Sequence, residues 1–475
     1  MPRDAARATE LACDYLCIGA GTSTLGFVDV VLSASKDKTF IIVDKHTAPG
    51  GHWTMAYPFV TLHQPAGSYG VNSEPLGKKF ENGRELLDID DLATGEEIVA
   101  YYRRVMDKFV ATGRVRYFPK ATYDFEVKTF VTQDGERCSV SYGKLVTPES
   151  NVTVPSMRPP LFEVAAGRAV VKPVNSLPNE EHEHYVVLGG GKTGADAVLH
   201  LLKRGVPLQR LKWVVPRDAW FNLREVYVAN GSLLGSTLII LDSLLQNDSS
   251  LAAFLAMERM GLIGRLDEEI DPDVMKHAIV TTDELHLLRG VQTVRLGRVR
   301  AVASEHIELE RGQLPLENDT LLVDCTATAF ASTRGDYAIF NPGHIRLSSG
   351  GTSLPSHSSA RIGHLEATFE TDAEKNAMFY LPQSAPGTGY VFDRADFIEG
   401  LYAELKTSGT FSAHPPSAKF LQNSRTEVMS MVHMTVPMIK SMSPALHQLR
   451  KQAKAFITKV EEEGWDDVPA KILGF

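Results

Sequence analysis

The chain has 475 residues, enough for two or three domains with substantial cores. Charged residues make up 23% and hydrophobic residues 43%, the balance of a globular protein, and the net charge of −9 argues against a nucleic acid or an anionic membrane surface as partner. No apolar run approaches the roughly 18 residues of a membrane span, and the charged start MPRDAARATELAC has no secretory pattern, so the expectation is a cytoplasmic protein.

The run DYLCIGAGTSTLGF predicts a strand over 14–19, a turn at Gly19-Ala20-Gly21 and a helix over 22–34. A second strand over 39–44 (TFIIVD) ends at Asp44, 25 residues after Gly19. In this βαβ context the glycines read as a dinucleotide fingerprint. They let the backbone approach a pyrophosphate, and the helix N-terminus offers it unpaired N–H groups. Asp44 is placed to accept hydrogen bonds from a ribose, with Lys45 beside it at the strand end. Thr24 stands where the strict pattern has its third glycine, and Gly26 comes two residues later.

Residues 96–112 have apolar positions at helical spacing, 114–145 alternate like strands, and the proline-containing stretch 147–178 reads as a linker. A second βαβ unit begins at Tyr185. Its turn, Gly189-Gly190-Gly191-Lys192-Thr193-Gly194, opens a helix, and the strand LKWVVP follows over 211–216. Two such turns predict two dinucleotides held face to face, most simply FAD and a nicotinamide. Lys192 is either a neutraliser of a pyrophosphate or a solvated lysine at a helix start. A nucleoside triphosphate loop is excluded, because Val186 occupies the place of its first glycine. Arg217, just past the second strand, can pair with a 2′-phosphate and points to NADPH, whereas the adjoining Asp218 would favour NADH.

Residues 217–290 read as mostly helical, and 291–326 as short strands and hairpin turns. The stretch 340–390 reads as loops around one helix over 358–369, and the last 85 residues as helical. Met429, Met431, Met434, Met438 and Met442 surround Pro437, which suits either a substrate tunnel or ordinary packing of a kinked helix. Cys13, Cys17, Cys138 and Cys325 form no CxxC pair and no zinc pattern, which argues for structural thiols and against a disulfide reductase. No metal site is expected, and the Asn-x-Ser/Thr matches at Asn151, Asn230, Asn247 and Asn318 are read as chance.

Three further segments extend the pattern: Pro49-Gly50-Gly51-His52-Trp53, the strand end Asp324-Cys325-Thr326-Ala327-Thr328-Ala329, and the helix start from Ser356 to Glu366. In this order the chain resembles the class B flavoprotein monooxygenases, the flavin-containing, N-hydroxylating and Baeyer–Villiger enzymes. The resemblance implies an α/β architecture with two Rossmann-like dinucleotide-binding domains, the NAD(P) domain inserted into a discontinuous FAD domain, and a helical C-terminal region. The implied boundaries are 1–175 for the first part of the FAD domain, 176–324 for the NAD(P) domain, and 325–475 for the second part with the C-terminal helices.

By the same resemblance Gly51, His52 and Trp53 lie beside the flavin, and Thr328 and Ala329 form the crossover, Ala329 replacing the usual glycine. The helix flanked by His357 and His364 points its N-terminus at the flavin, with His364 on its surface. The segment 57–69 (YPFVTLHQPAGSY) follows the Baeyer–Villiger pattern at Tyr57, Pro58, Pro65 and Tyr69. His63 stands where that family has an aspartate next to the flavin, and the family's histidine after F-x-G is missing from FEVAAGRAVVKP (162–173). His63 is a candidate proton donor, or a group that only hydrogen-bonds its surroundings, and the Gln64 amide is a candidate partner for flavin heteroatoms.

The resemblance thus implies an FAD-dependent oxidoreductase reduced by NAD(P)H: a monooxygenase acting through a C4a-(hydro)peroxyflavin on a small organic substrate. Two alternatives stay open. One is a reductase, oxidase or desaturase without oxygen insertion, and the other a flavin-binding protein without catalysis. A homo-oligomer is compatible with the sequence.

Overall fold

In the computed structural model, which describes residues 8–81, 84–85, 87–151, 154–165, 169–227, 232–327, 331–332, 338–348, 354–382, 392–427 and 436–470, the apolar runs before the two glycine turns become central strands of two parallel sheets. The chain enters through β1 (Thr9–Ile18), α1 (Thr22–Ala34), β2 (Phe40–Val43), α2 (Gly95–Ala111), β3 (Val115–Phe118) and β4 (Arg137–Pro148). It continues through β5 (Val170–Pro173), β6 (His184–Leu188), α3 (Lys192–Lys203), β7 (Leu211–Val214), β8 (Trp220–Leu223), α4 (Ser232–Leu245) and α5 (Ser250–Arg259). Then come β9 (Val274–Val280), α6 (Thr282–Arg289), β10 (Gln292–Val294), β11 (Thr320–Asp324), β12 (His344–Leu347) and α7 (Pro355–Thr368). The last described helices are α8 (Asp372–Met378), α9 (Arg394–Ala413), α10 (Pro415–Asn423) and α11 (Val436–Glu462).

The first sheet carries parallel strands in the order β12-β4-β1-β2-β3. Every residue of β2 is buried, as expected of a parallel strand covered on both faces. The second sheet has the order β5-β11-β6-β7-β10, all neighbours parallel. Strand order reverses between β1 and β4 in the first sheet and between β6 and β11 in the second. Ligands of open parallel sheets bind outside the carboxyl ends of the strands at such a switch point. The two glycine turns follow β1 and β6 and therefore sit at the two switch points.

Three expectations change. The stretch 147–178 is not only a linker: β5 pairs with β11 at the edge of the second sheet, and Glu163–Val164 pairs with Val299–Val302. The region 217–290 holds a third sheet of Ile263–Gly264, β8, β9 and Phe392–Asp393, besides its helices. These strands find partners far away in sequence, so local periodicity does not mark them. The helix expected over 358–369 begins earlier, at Pro355, because a proline suits the first turn, where no N–H is required.

Helix α1 is buried at nine consecutive residues, Thr24 to Leu32, as for a helix enclosed on all sides. Helix α7 packs against it at glycine contacts. A Cβ on Gly26 would lie 3.1 Å from the Ser356 carbonyl oxygen, and one on Gly363 would lie 2.9 Å from that of Phe27. Gly26 thus does the close-packing work that the missing third glycine of the fingerprint would do. One apolar core surrounds Phe27, Phe40, Ile42 and Tyr102, and another surrounds Val187, Leu201, Trp213 and Leu321. Trp53 packs against both, so the short turn Gly51–Met55 lies where they meet. All four cysteines are free thiols, and Cys17, Cys138 and Cys325 are buried. No described helix is long and apolar enough to cross a membrane.

Candidate functional site

Helix starts whose capping residue is among the described residues fall into two groups. Helices α2, α5, α6, α8 and α9 begin behind Thr94, Ser249, Thr281, Thr371 and Asp393, whose side chains accept an N–H of the first turn. Helices α1 and α3 begin behind Gly21 and Gly191, which have no side chain to do so, and neither has an acidic residue in its first turn. Their first-turn N–H groups and the positive end of each helix dipole are the kind of helix start that suits an anion. Helices α7 and α10 also lack a side-chain cap, and both start with proline.

The first turn is held by backbone contacts. Gly19, at φ +86°, donates its N–H to Val43 O at 2.8 Å, and a Cβ there would meet no heavy atom within 4 Å. Asp44 is buried. One of its oxygens accepts Ala20 N–H and the other accepts His46 N–H at 2.5 Å. It therefore closes the glycine turn, and each oxygen retains a further lone pair for a ribose. Lys45 is exposed and Thr24 is buried within α1.

The Gly50-Gly51 turn packs backbone to backbone on the first, with Gly50 N–H donating to Ala20 O at 2.8 Å. A Cβ on Gly51 would stand 3.2 Å from Gly21 Cα. Trp53 Nε1 and Thr22 Oγ1 both donate to the Tyr69 hydroxyl, at 2.8 and 2.7 Å. His52 lies against Trp53 with ring centroids 5.0 Å apart, and burial, with His46 nearby, pushes its imidazole down to about 4.

The His63–Gln64 loop is gripped from several elements. Arg224 donates from Nε to His63 O at 3.1 Å and from Nη2 to Glu284 Oε2 at 3.1 Å. Ile279 N–H, on β9, donates to His63 Nδ1 at 3.3 Å. Because Nδ1 accepts, the proton of the neutral ring resides on Nε2. Gln64 is 4% exposed, and its Oε1 has no hydrogen-bond partner among the described residues. Leaving a buried acceptor unpaired costs about 1–3 kcal/mol, so this oxygen calls for a donor. On α7, Ser356 Oγ, Ser359 Oγ and His357 Nδ1 are buried in the same condition.

Segment 424–427 ties the loop to α7. Arg425 donates to Val71 O at 3.0 Å, to Gly67 O at 2.8 Å and to Tyr69 O, and it pairs with Glu85 at 2.8 Å. Glu427 Oε2 accepts from Arg361 Nη2 at 2.9 Å and lies 2.9 Å from His357 Nε2, without hydrogen-bond geometry to that ring. His364 is half-buried on α7: it stacks on Phe420 at 4.4 Å and bonds Ser417 Oγ at 3.0 Å. Burial pushes its imidazole down to about 4 as well, with His414 contributing.

In the second turn Gly189, at φ +117°, donates its N–H to Val214 O at 3.0 Å, and its own oxygen accepts Trp213 Nε1–H at 2.8 Å. A Cβ on Gly191 would meet nothing within 4 Å. Lys192 pairs with Asp196 one helical turn on, and Tyr57 OH donates to the same carboxylate at 2.5 Å. Thr193 hydrogen-bonds Tyr57 from the first turn of α3.

Arg217 is exposed beyond β7. Asp218 is engaged by Arg295, whose Nε lies 3.1 and 3.0 Å from its two oxygens. Thr328 and Ala329 lie outside the described residues, as do Met429, Met431, Met434 and the side chains of Met438 and Met442. No group of three or more His, Cys, Asp or Glu among the described residues could hold a metal ion.

The structure brings Gly19, Gly21, Asp44, Gly51 and Trp53 together at the first switch point, and Gly189, Gly191, Lys192, Thr193 and Gly194 at the second. Sequence reasoning missed Arg224, Arg425, Glu427, Asp196 and Arg295. Each acts through a partner on another element, and only the Lys192–Asp196 spacing of four residues was visible beforehand.

No family model matches the chain. The uncharacterized protein Rv2000 of Mycobacterium tuberculosis is 34% identical over 387 residues, covering 78% of this chain and 70% of that protein. The uncharacterized protein Mb2023 of Mycobacterium bovis matches to the same extent, 34% over 387 residues, with 78% and 70% covered. Among solved structures, the polycyclic ketone monooxygenase from the fungus Thermothelomyces thermophila aligns over 96% of this chain and 90% of its own, with a TM-score of 0.51 at 12% identity. At that identity the likeness is one of fold.

Proposed function

The chain belongs to the family of the mycobacterial Rv2000 protein and has the fold of the class B flavoprotein monooxygenases, and on that premise we propose that it is an FAD-dependent oxidoreductase reduced by NADPH, a monooxygenase acting on a small organic substrate. The observation that carries this reading is the pair of glycine-started helices at two sheet switch points, with Trp53 packed between their cores. The division at 1–175, 176–324 and 325–475 is supported in its order, since β12, from beyond the second sheet, pairs with β4 in the first, whereas β5 (Val170–Pro173) already belongs to the second sheet and moves the first boundary to before residue 170.

FAD fits the first turn. Gly19, Gly21 and the α1 N–H groups would hold its pyrophosphate, Asp44 its ribose, and the unpaired Gln64 Oε1 an N–H donor of the ring. A nicotinamide dinucleotide fits the second, with Gly189, Gly191 and the α3 N–H groups on its pyrophosphate and Arg217 near a 2′-phosphate. When bound, the flavin supplies the hydride acceptor and the site of oxygen reduction.

The chain's own residues orient and insulate. Arg224 and Arg425 fix the 63–71 loop, while Trp53, Tyr57 and Tyr69 fill the space between the two turns. His63 holds a proton at Nε2, fixed there by the Ile279 N–H. A reductase, oxidase or desaturase is the second reading, and one observation favours it: His63, with Nδ1 already engaged, replaces the aspartate of the Baeyer–Villiger pattern.

The test is anaerobic reduction of the FAD-reconstituted chain with NADPH and with NADH, followed by air and measurement of peroxide. The proposal expects a yellow protein that NADPH bleaches faster than NADH. It also expects peroxide release to fall below NADPH consumption once a substrate is present. A protein that retains no flavin overturns it, and one peroxide per NADPH with every substrate tried selects the second reading.

A further inference from the structure

Strand β7 ends beside β10, with Val214 in register with Val294 and Val215 N–H donating to Val294 O at 3.0 Å. Asp218 and Arg295 are thereby brought together just beyond the two carboxyl ends. The Arg295 Nε bridges both Asp218 oxygens at 3.1 and 3.0 Å, its Nη1 donates to Thr293 Oγ1 at 2.5 Å, and its Nη2 lies 3.5 Å from Asp267. Arg311 secures the same residue by donating to the Arg295 carbonyl at 2.6 Å. The Asp218 and Arg295 side chains are 13% and 27% exposed, so the pair is partly withdrawn from solvent screening.

A carboxylate at this strand end ordinarily selects NADH, because it bonds the ribose 2′-hydroxyl and repels a 2′-phosphate. Here that carboxylate is already bridged and its charge neutralised. We propose that Arg295 is a specificity-determining residue: by holding Asp218 in a closed ion pair it removes the repulsion, and the site accepts a 2′-phosphate beside Arg217. This rests on the nicotinamide reading of the second glycine turn. Arg295 acts through Asp218 and is a positioning residue, not a catalytic one.

The test is the affinity of the full chain for NADP⁺, NAD⁺ and adenosine 2′,5′-bisphosphate, measured by calorimetry without turnover. Arg295→Ala should lower the NADP⁺-to-NAD⁺ affinity ratio by about tenfold or more, since it exposes a like charge to the phosphate. Asp218→Asn in the Arg295→Ala background should restore most of the ratio, because the carboxylate nearest the 2′-phosphate is gone and only Asp267, 3.5 Å from Arg295 Nη2, remains. Asp218→Asn alone should move it less than about threefold.

An unchanged ratio in Arg295→Ala overturns the proposal. So does failure of the double variant to recover, which would mean that Arg295 binds the phosphate directly. If Arg295→Ala does not fold, Asp218→Asn alone still decides: a gain in NADP⁺ affinity of about tenfold would mean that Asp218 was never masked. A wild-type chain that binds neither dinucleotide overturns this inference together with its parent reading, whereas binding with an unmoved ratio overturns this inference only.

Discussion

Gly194 and Gly189 are in contact: a Cβ on Gly194 would stand 1.9 Å from the Gly189 carbonyl oxygen, the same oxygen that accepts the Trp213 indole N–H at 2.8 Å. The first residue is thus glycine for packing. Gly191, at φ −94° with nothing within 4 Å of a Cβ, has ordinary backbone geometry and open space.

These two glycines should separate stability from binding. Gly194→Ala forces the turn apart and should destabilise the fold by about 2–4 kcal/mol. Gly191→Ala should leave stability within about 1 kcal/mol and still weaken NADP⁺ binding, because its methyl occupies the approach to the α3 N–H groups. Denaturant unfolding and dinucleotide titration of both variants check this, and equal loss of stability in the two would sink it.

Gln64 Oε1 is buried without a donor among the described residues. Gln64→Leu should therefore leave the apoprotein as stable or raise its stability by about 1 kcal/mol, since it removes an unpaired acceptor. The same change should lower FAD retention and shift the bound flavin spectrum. Unfolding of the flavin-free protein and flavin content after dialysis are the measurements; a less stable apoprotein with unaltered flavin binding would count against the assignment.

Arg425 is 6% exposed and binds Glu85, itself 4% exposed, besides three carbonyls of the 67–71 loop. Arg425→Met removes the guanidinium that balances the buried Glu85 charge, although Gly77 N–H still donates to that carboxylate, and should cost about 3–5 kcal/mol. Converting Glu85 to Gln as well should recover part of this loss. A double variant no better than the single one would mean that the carbonyl contacts, not the charge, dominate.

Acid should weaken the fold through His52 and His364. Both imidazoles are pushed down to about 4 from an ordinary 6.5, so the unfolded chain takes up protons first. Their contribution is fully present above pH 6.5 and is lost as pH falls toward 4, by about 1–2 kcal/mol for each residue. His364→Gln should flatten the decline between pH 7 and pH 5 in urea unfolding. An unaltered slope would show that His364 is not held neutral.

What can be read from the sequence here is what local physics writes into it. The apolar runs before Gly19 and Gly189, the glycine-opened helices after them and Asp44 at the next strand end all follow from neighbours within about 25 residues. The expected close-packing glycine was displaced to Gly26, and its role appeared only when α7 was seen against it. The stretch 147–178 looked like a linker because β5 has its hydrogen-bond partner in β11, about 150 residues on.

The sequence by itself determined two dinucleotide-type turns, their strands and the resemblance in which His63 departs from the pattern. The tertiary structure alone decided what those residues face. It clamped the 67–71 stretch with Arg425, 340 residues from its partner Glu85, and closed Asp218 onto Arg295, 77 residues away. The physical reason is that strand propensity, turn chemistry and capping act over a few residues. Buried charges and unpaired oxygens are matched through space, where separation along the chain leaves no mark.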